Sequence, residues 1–365
     1  MFVSLRDSLG LGPSAHPKLC KFSLMLRYSW FGSFSSQGLF GFLIKLCSSV
    51  FNLSDVVSAT ITQLCLGTVP FTVPLAEKQK VEANKQLINR GLRLLWPGGA
   101  RTAVSISLDD GYVFDSEAIA ILNQYELVGT FNLNSLTLGG HFFDFPIQKA
   151  EDLQTVYSKY GHEIASHSQR HEFPTLFPLT SGDINKMFED YSSDREILSA
   201  HSHQDVCGFA YPFGFCSRAI VSVLRRAGFS YARCGRIRMT AEIPRDWFSW
   251  RPNAHLLDGD AITRLKSIRE VSTVFLMSGH TYEWKWGNNE ENRTILQGFK
   301  DFCEFVAGNA YWNACMRDVY RYWEQWSLSL HVTNRQCFNA GNLPLWFEYK
   351  GKTYKVDPAK CVEIG

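Results

Sequence analysis

Two adjacent carboxylates, two imidazoles four residues apart and one late histidine are the residues of this chain whose types and spacing could do chemistry together. They lie in Ser107-Leu108-Asp109-Asp110-Gly111, His167-Ser168-Gln169-Arg170-His171 and Ser278-Gly279-His280, with a Tyr211-Pro212-Phe213-Gly214 turn between the last two. Two histidines and a carboxylate are a common donor set for zinc or a similar divalent ion, and they leave positions open for water. Asp110, His167 and His171 would supply that set. A bound ion lowers the pKa of water toward ~7 and polarises a carbonyl oxygen. Asp109 then suits the role of general base, since a carboxylate engaged with an ion has little basicity left. His280 would protonate a leaving amine or alcohol. A backbone N–H of the Pro212-Phe213-Gly214 turn could hold an oxyanion. Together these parts describe metal-assisted hydrolysis of an amide or ester.

Each segment also has a plainer explanation. Asp-Asp-Gly is a common turn, His-x-x-x-His can be two histidines on one helix face, Pro-Phe-Gly is a turn in its own right, and a lone histidine is commonly just packed. What joins the four is placement, because each follows a stretch that reads as a strand. Ala103–Leu108, Gly129–Asn134, His162–Ser166, Cys207–Tyr211, Phe229–Cys234 and Val271–Met277 have strand character. Helical patterns cover Ser116–Tyr125, Ser181–Ala200, Ser217–Ala227, Ala261–Arg269 and about Glu291–Val306. Strands alternating with helices indicate an α/β fold on a parallel sheet, open or closed into a barrel. In such folds the reactive groups gather at the C-terminal ends of the strands. Leu345–Tyr349 and Thr353–Val356, joined by Lys350-Gly351-Lys352, read as a β-hairpin.

The bulk numbers narrow the partners. With 45% apolar and 20% charged residues the chain can fill a globular core, and a net charge of +2 gives no reason to expect nucleic acid or an anionic membrane. Ten cysteines without a Cys-x-x-Cys pair argue against a zinc ribbon or a disulfide mini-fold. Residues 1–95 read as an N-terminal extension, a targeting or disordered segment, with no compartment indicated. The uncharged run Val56–Ala76 is interrupted by polar residues and two prolines, so no stable membrane span is expected. Residues 96–325 would form the catalytic domain and 326–365 a small β-appendage.

At these motifs the chain resembles the polysaccharide deacetylase family, the chitooligosaccharide deacetylase (NodB) homology domain of carbohydrate esterase family 4. That family's Thr-Phe-Asp-Asp-Gly is similar to Ser107–Gly111, and its His-Ser/Thr-x-x-His is complete at His167–His171. The resemblance implies a distorted (β/α) barrel that removes acetyl groups from an N-acetylated or O-acetylated glycan. It implies Asp109 as base, His280 as acid, Asp110, His167 and His171 as ligands of Zn2+ (or Co2+, Ni2+ or Mn2+), and the Phe213 N–H as oxyanion donor. The family's third motif carries an arginine that orients the base, and here Ala210 stands in its place, with Phe213 replacing a tyrosine. The final motif, Gly279-His280-Thr281-Tyr282-Glu283-Trp284, resembles a subgroup with Gly-His-Ser-Tyr-Glu that also has alanine at the arginine position. By the same resemblance Tyr211, Trp250 and His255 are candidate substrate-binding residues. Two alternatives share the pattern: hydrolysis of a non-sugar amide or ureide, and a glycan-binding protein with impaired catalysis.

Overall fold

Alternating small residues, Ala103, Ser105 and Ser107, set the character of the central strand. The computed structural model describes residues 75–172, 180–333 and 335–365. In it β1 (Thr102–Asp109) is buried at every position, as a strand covered on both faces must be. The further strands are β2 (Thr130–Leu133), β3 (Glu163–Ser166), β4 (Gly208–Ala210), β5 (Tyr231–Arg233), β6 (Ala254–His255), β7 (Thr273–His280) and β8 (Trp312–Asn313). Seven of them form a curled, wholly parallel sheet in the order β5-β4-β3-β2-β1-β7-β6. β8 adds beside the N-terminal half of β1. A parallel bridge between Arg233 and Trp250 ties the β5 edge to the segment leading into β6. The architecture is therefore a half-barrel of the kind expected from the alternating elements.

Period-two alternation decides what faces what. Val104, Ile106 and Leu108 of β1, with Phe275 and Met277 of β7, join an apolar cluster that includes Phe299, Phe302 and Val306. Those three lie on the amphipathic helix Asn289–Ala307, whose Asn288 closes a capping box with Glu291. The opposite face of the two strands carries Ala103, Val274 and Leu276, packed with Trp247, Trp250 and the helix Met316–Ser329. Asp109 and His280 lie in register at the ends of these two strands, on that second face.

The helix Met316–Ser329 is not apparent in the sequence, because its aromatic run lacks a capping signal. Its buried residues Met316, Val319, Tyr320, Trp323 and Trp326 nevertheless follow helical spacing. Side chains of the sheet cap its first turn. The Thr130 hydroxyl accepts from Met316 N–H at 2.9 Å, and the Glu163 carboxylate from Arg317 N–H at 2.9 Å. Glu163, fully buried, also accepts from Tyr231 Oη at 2.6 Å and Thr130 Oγ1 at 2.8 Å. Burial pushes its pKa up against these donors and the charge of Arg317.

The domain boundary falls earlier than the sequence suggests. Residues 75–95, assigned there to the extension, form a helix (Leu75–Asn89) and a strand (Leu92–Leu95). Lys80 Nζ donates to Tyr320 Oη at 2.9 Å and Asn84 Nδ2 to Ser327 Oγ at 3.1 Å, holding the helix on Met316–Ser329. The strand pairs antiparallel with Leu345–Tyr349, which in turn pairs with Lys352–Val356. The hairpin is thus two strands of a three-stranded sheet that includes the start of the domain. The rest of the tail joins a second antiparallel sheet of Leu330–Val332, Gln336–Asn339 and Cys361–Glu363. Residues 1–74, including positions 56–74 of the uncharged run, lie outside the described residues. Among the described residues no helix is long and apolar enough to cross a membrane.

Removing the Glu163 cap leaves the Tyr231 hydroxyl and a helix N–H unsatisfied in the interior. We expect Glu163→Ala to lower unfolding free energy by about 2–4 kcal/mol, read as a fall in the urea midpoint. An unchanged midpoint would show that the cap contributes nothing.

Candidate active site

The parallel register builds the site by bringing strand ends together. β1 ends on Asp109, its partner β7 on His280, and β3 runs directly into His167. His280 Nε2 lies 3.8 Å from Asp109 Oδ2 and 4.0 Å from Asp110 Oδ2. The two histidines of the second motif do not share a helix face. They occupy a loop with Ser168 (φ 64°) and His171 (φ 55°) in the left-handed region, which turns both rings inward. Asn134 fixes that loop, donating through Nδ2 to the carbonyls of His167 (2.5 Å) and Ser168 (2.8 Å). The buried Asp194 accepts from Ser135 N–H at 2.8 Å and Ser166 Oγ at 2.5 Å, bracing the strand end just before His167.

His167 Nε2 and His171 Nε2 each stand 3.7 Å from Asp110 Oδ1. The donor atoms of Asp110, His167 and His171 all lie within 4.8 Å of one another, and all three residues are buried. His167 Nδ1 faces the Ala210 carbonyl at 2.7 Å. A carbonyl only accepts, so Nδ1 carries the hydrogen and the Nε2 lone pair points at Asp110, the arrangement usual for a ligating histidine. Burial pushes the His167 pKa down to about 4, so the ring is neutral at physiological pH. Donor types, tautomer and spacing therefore fit a divalent ion with ligand distances of ~2.0–2.2 Å.

Asp109 is held differently. Its carboxylate accepts from Asn132 Nδ2 at 2.8 Å and forms a buried ion pair with Arg233, whose Nη2 is 2.6 Å from Oδ1 and also contacts Oδ2. Burial favours the neutral acid, but the charge and hydrogen bonds of Arg233, with His280 beside it, outweigh it and keep the carboxyl well below the usual carboxylate range. The arginine missing at Ala210 is thus supplied from the adjacent strand. Ala210 of β4 is the register partner of Arg233 of β5, and the small side chain stands where the neighbouring strand delivers the guanidinium.

His280 Nδ1 pairs with Glu283 Oε1 at 3.0 Å, and His255 Nε2 lies 3.5 Å from the same oxygen. Burial lowers the His280 pKa, yet Glu283 and the two aspartates more than compensate and raise it to about 9. His255, by contrast, is pushed down by burial despite Glu283. Its side chain supports Glu283 from behind, with its ring 6.2 Å from that of His280.

Phe213 sits in its turn at φ 58°, 38% exposed, with its ring 4.6 Å from the His171 ring. Gly214 next to it has φ 66°, and a Cβ there would fall 2.3 Å from the backbone of Gly235, so the turn demands glycine. Tyr211 and Trp250 are fully buried. Tyr211 Oη donates to the Phe248 carbonyl at 2.9 Å, and Trp250 packs edge-on against Trp247 at 4.9 Å. Both belong to the packing beneath the site and offer no surface to a ligand.

Several participants escaped sequence reading. Arg233 is an isolated cation at a strand end, and only strand order reveals its partner. Glu283 had a signal, its i+3 spacing from His280. An aromatic rim on one side of the histidines comes from Phe142 and Phe143 of the short hairpin 141–146 with Trp286. Phe142 lies 5.2 Å from the His171 ring and Phe143 6.1 Å from Trp286, itself 44% exposed.

The curled parallel half-barrel thus gathers an Asp-His-His donor set, an arginine-paired aspartate and an opposing histidine at one end of its sheet. Residues 98–232 match the family model described as polysaccharide deacetylase. That stretch, which holds Asp109, Asp110, His167 and His171 but ends one residue before Arg233, is similar to the polysaccharide deacetylase family. A search of the curated proteins finds no match. Among solved structures the chain is similar to a protein of Mycobacterium smegmatis described provisionally as a polysaccharide deacetylase. The two are 16% identical over 67% of this chain and 97% of that one, with a TM-score of 0.46. It is also similar to a family 4 carbohydrate esterase from Streptomyces lividans in complex with acetate (14% identity, 59% and 93% coverage, TM-score 0.39). A third is a family 4 acetyl xylan esterase from Clostridium thermocellum in complex with a cobalt ion (14% identity, 60% and 90% coverage, TM-score 0.39).

Two measurements test the site. His167→Ala combined with His171→Ala should reduce bound divalent metal from about one equivalent to none after dialysis; retention of one equivalent would place the ligands elsewhere. Arg233→Met removes the cation that depresses Asp109. The Asp109 pKa should rise by about one to three units, bringing an acid limb into kcat/KM that Asp109 does not give the wild type; a profile superimposable on that of the wild type would detach Arg233 from Asp109.

Proposed function

We propose that this protein is a divalent-metal-dependent hydrolase that removes acetyl groups from an N-acetylated, or O-acetylated, poly- or oligosaccharide. The observation that carries the reading is the opposition of an arginine-paired carboxylate and a glutamate-paired histidine across one gap. Asp109 is held ionised by Arg233 and Asn132, while His280, 3.8 Å away, is held protonated by Glu283.

When bound by Asp110, His167 and His171, a divalent ion, zinc by donor type, would polarise the acetyl carbonyl and acidify water. Asp109 accepts the proton of the attacking water, its acceptor oxygens fixed by Arg233 and Asn132. The Phe213 N–H serves the developing oxyanion. His280 then gives its Nε2 proton to the departing nitrogen or oxygen, while Glu283 stabilises the imidazolium through Nδ1. Asp109 and His280 are both in their working forms at neutral pH. The Phe142, Phe143 and Trp286 rim suits stacking against a sugar ring, whose faces are apolar.

The test is acetate release by the full chain from N-acetylglucosamine oligomers, with zinc or cobalt and with chelator. We expect metal-dependent acetate, and loss of about 10³-fold or more in kcat for Asp109→Asn with metal still bound. Acetate release that is indifferent to chelator, or undiminished in Asp109→Asn, would sink the reading. A folded, metal-loaded protein that releases no acetate but opens a cyclic amide would move the substrate outside the sugars.

A further inference from the structure

Two cysteines flank the site without taking part in the chemistry above. Cys216 lies two residues beyond Gly214 in the Phe213 turn, and Cys234 directly follows Arg233. Cys234, buried, points its S–H at the sulfur of the half-buried Cys216 across 3.2 Å. Backbone contacts hold the two segments together. Gly235 N–H donates to the Gly214 carbonyl at 3.3 Å, Tyr211 N–H to that of Arg233 at 3.0 Å, and Cys234 N–H to that of Trp250 at 2.8 Å. Gly214 and Gly235 approach so closely that neither tolerates a Cβ, which brings the two sulfurs into contact. A disulfide has an S–S length of about 2.05 Å, so closing the pair needs an approach of only about 1 Å.

We propose that Cys216 and Cys234 are a redox-active pair that closes into a disulfide by exchange with a small disulfide such as oxidised glutathione, clamping the Phe213 turn to the strand end that carries Arg233. The more exposed Cys216 attacks. Its thiolate is favoured by the hydrogen bond from Cys234, which brings the thiol down to about 7. Attack on one glutathione sulfur breaks the S–S bond and releases one glutathione thiolate, which takes up a proton. Cys234 then loses its proton, and its sulfur attacks Cys216 Sγ in the mixed disulfide, expelling the second glutathione. Two protein thiols are oxidised and one glutathione disulfide is reduced to two thiols, so the exchange balances. The inference is independent of which substrate the site accepts.

The full chain would be incubated with oxidised glutathione or with dithiothreitol, alkylated, digested and mapped by mass spectrometry. We expect a Cys216–Cys234 cross-linked peptide that only the oxidised sample contains. The oxidised protein should also melt several degrees higher than the reduced protein, a gain absent from Cys216→Ser and from Cys234→Ser. Alkylation of both cysteines after oxidant treatment would overturn the proposal. So would glutathione retained on Cys216 with no cross-link, a result that needs no variant to read.

Discussion

The buried ion pair between Asp109 and Arg233 is the constraint around which the site is arranged. An arginine and an aspartate removed from water cost more than their attraction returns unless geometry and further hydrogen bonds satisfy both. Here Asn132 adds a second donor to Asp109. Losing either partner would strand a charge in the interior, so the register β5-β4-β3-β2-β1 is locked as soon as the pair forms. That register carries His167, just beyond the end of β3, toward Asp110 and aligns Ala210 so that its carbonyl accepts from His167 Nδ1. One electrostatic requirement thus orients Asp109 directly and His167 indirectly.

The backbone bears part of the cost of this convergence. Asp110, Ser168, His171 and Phe213 all have positive φ without being glycine, between 55° and 77°. Such conformations cost of order 1–3 kcal/mol each and persist only where surrounding contacts over-determine them. The contacts are identifiable for the histidine loop in Asn134 and Asp194, and for the Phe213 turn in the Gly214–Gly235 approach. Rigid scaffolding below strained loop residues is how a site keeps side chains placed before a ligand arrives.

Much of this was legible in the chain. Strands were readable at Ala103–Leu108, His162–Ser166, Cys207–Tyr211 and Val271–Met277, and their alternation with helices gave the parallel sheet. Asp110, His167 and His171 converge as their spacing suggested, although through a loop with left-handed residues rather than a helix. Arg233 was illegible for a physical reason: it reaches Asp109 from a strand four places away in the sheet, and ion-pair partners 124 residues apart leave no local trace. Trp250 and Tyr211 were substrate-binding candidates by resemblance, and position in a motif does not announce whether an aromatic ring points into the packing, where both lie buried. The helix 316–329 was hidden because its first turn is capped by Thr130 and Glu163, residues far away in sequence, instead of by a neighbour.

The two halves of the proton inventory also explain why the donor triad belongs in the site. Asp109, depressed by Arg233, stays ionised at any pH the protein would meet, but a carboxylate with so low a pKa is a weak base. It can take a proton from water efficiently only if that water has been made more acidic by another charge. Arg233 is already committed to the aspartate, and His280 is on the acid side with its proton held by Glu283 and the aspartates. Among the described residues, the cradle of Asp110, His167 and His171 offers a place for a positive charge beside Asp109, and its carboxylate and two imidazoles suit a divalent cation. A weak base, a strongly held acid proton and an adjacent cation site are therefore parts of one arrangement, and the first would be a handicap without the last.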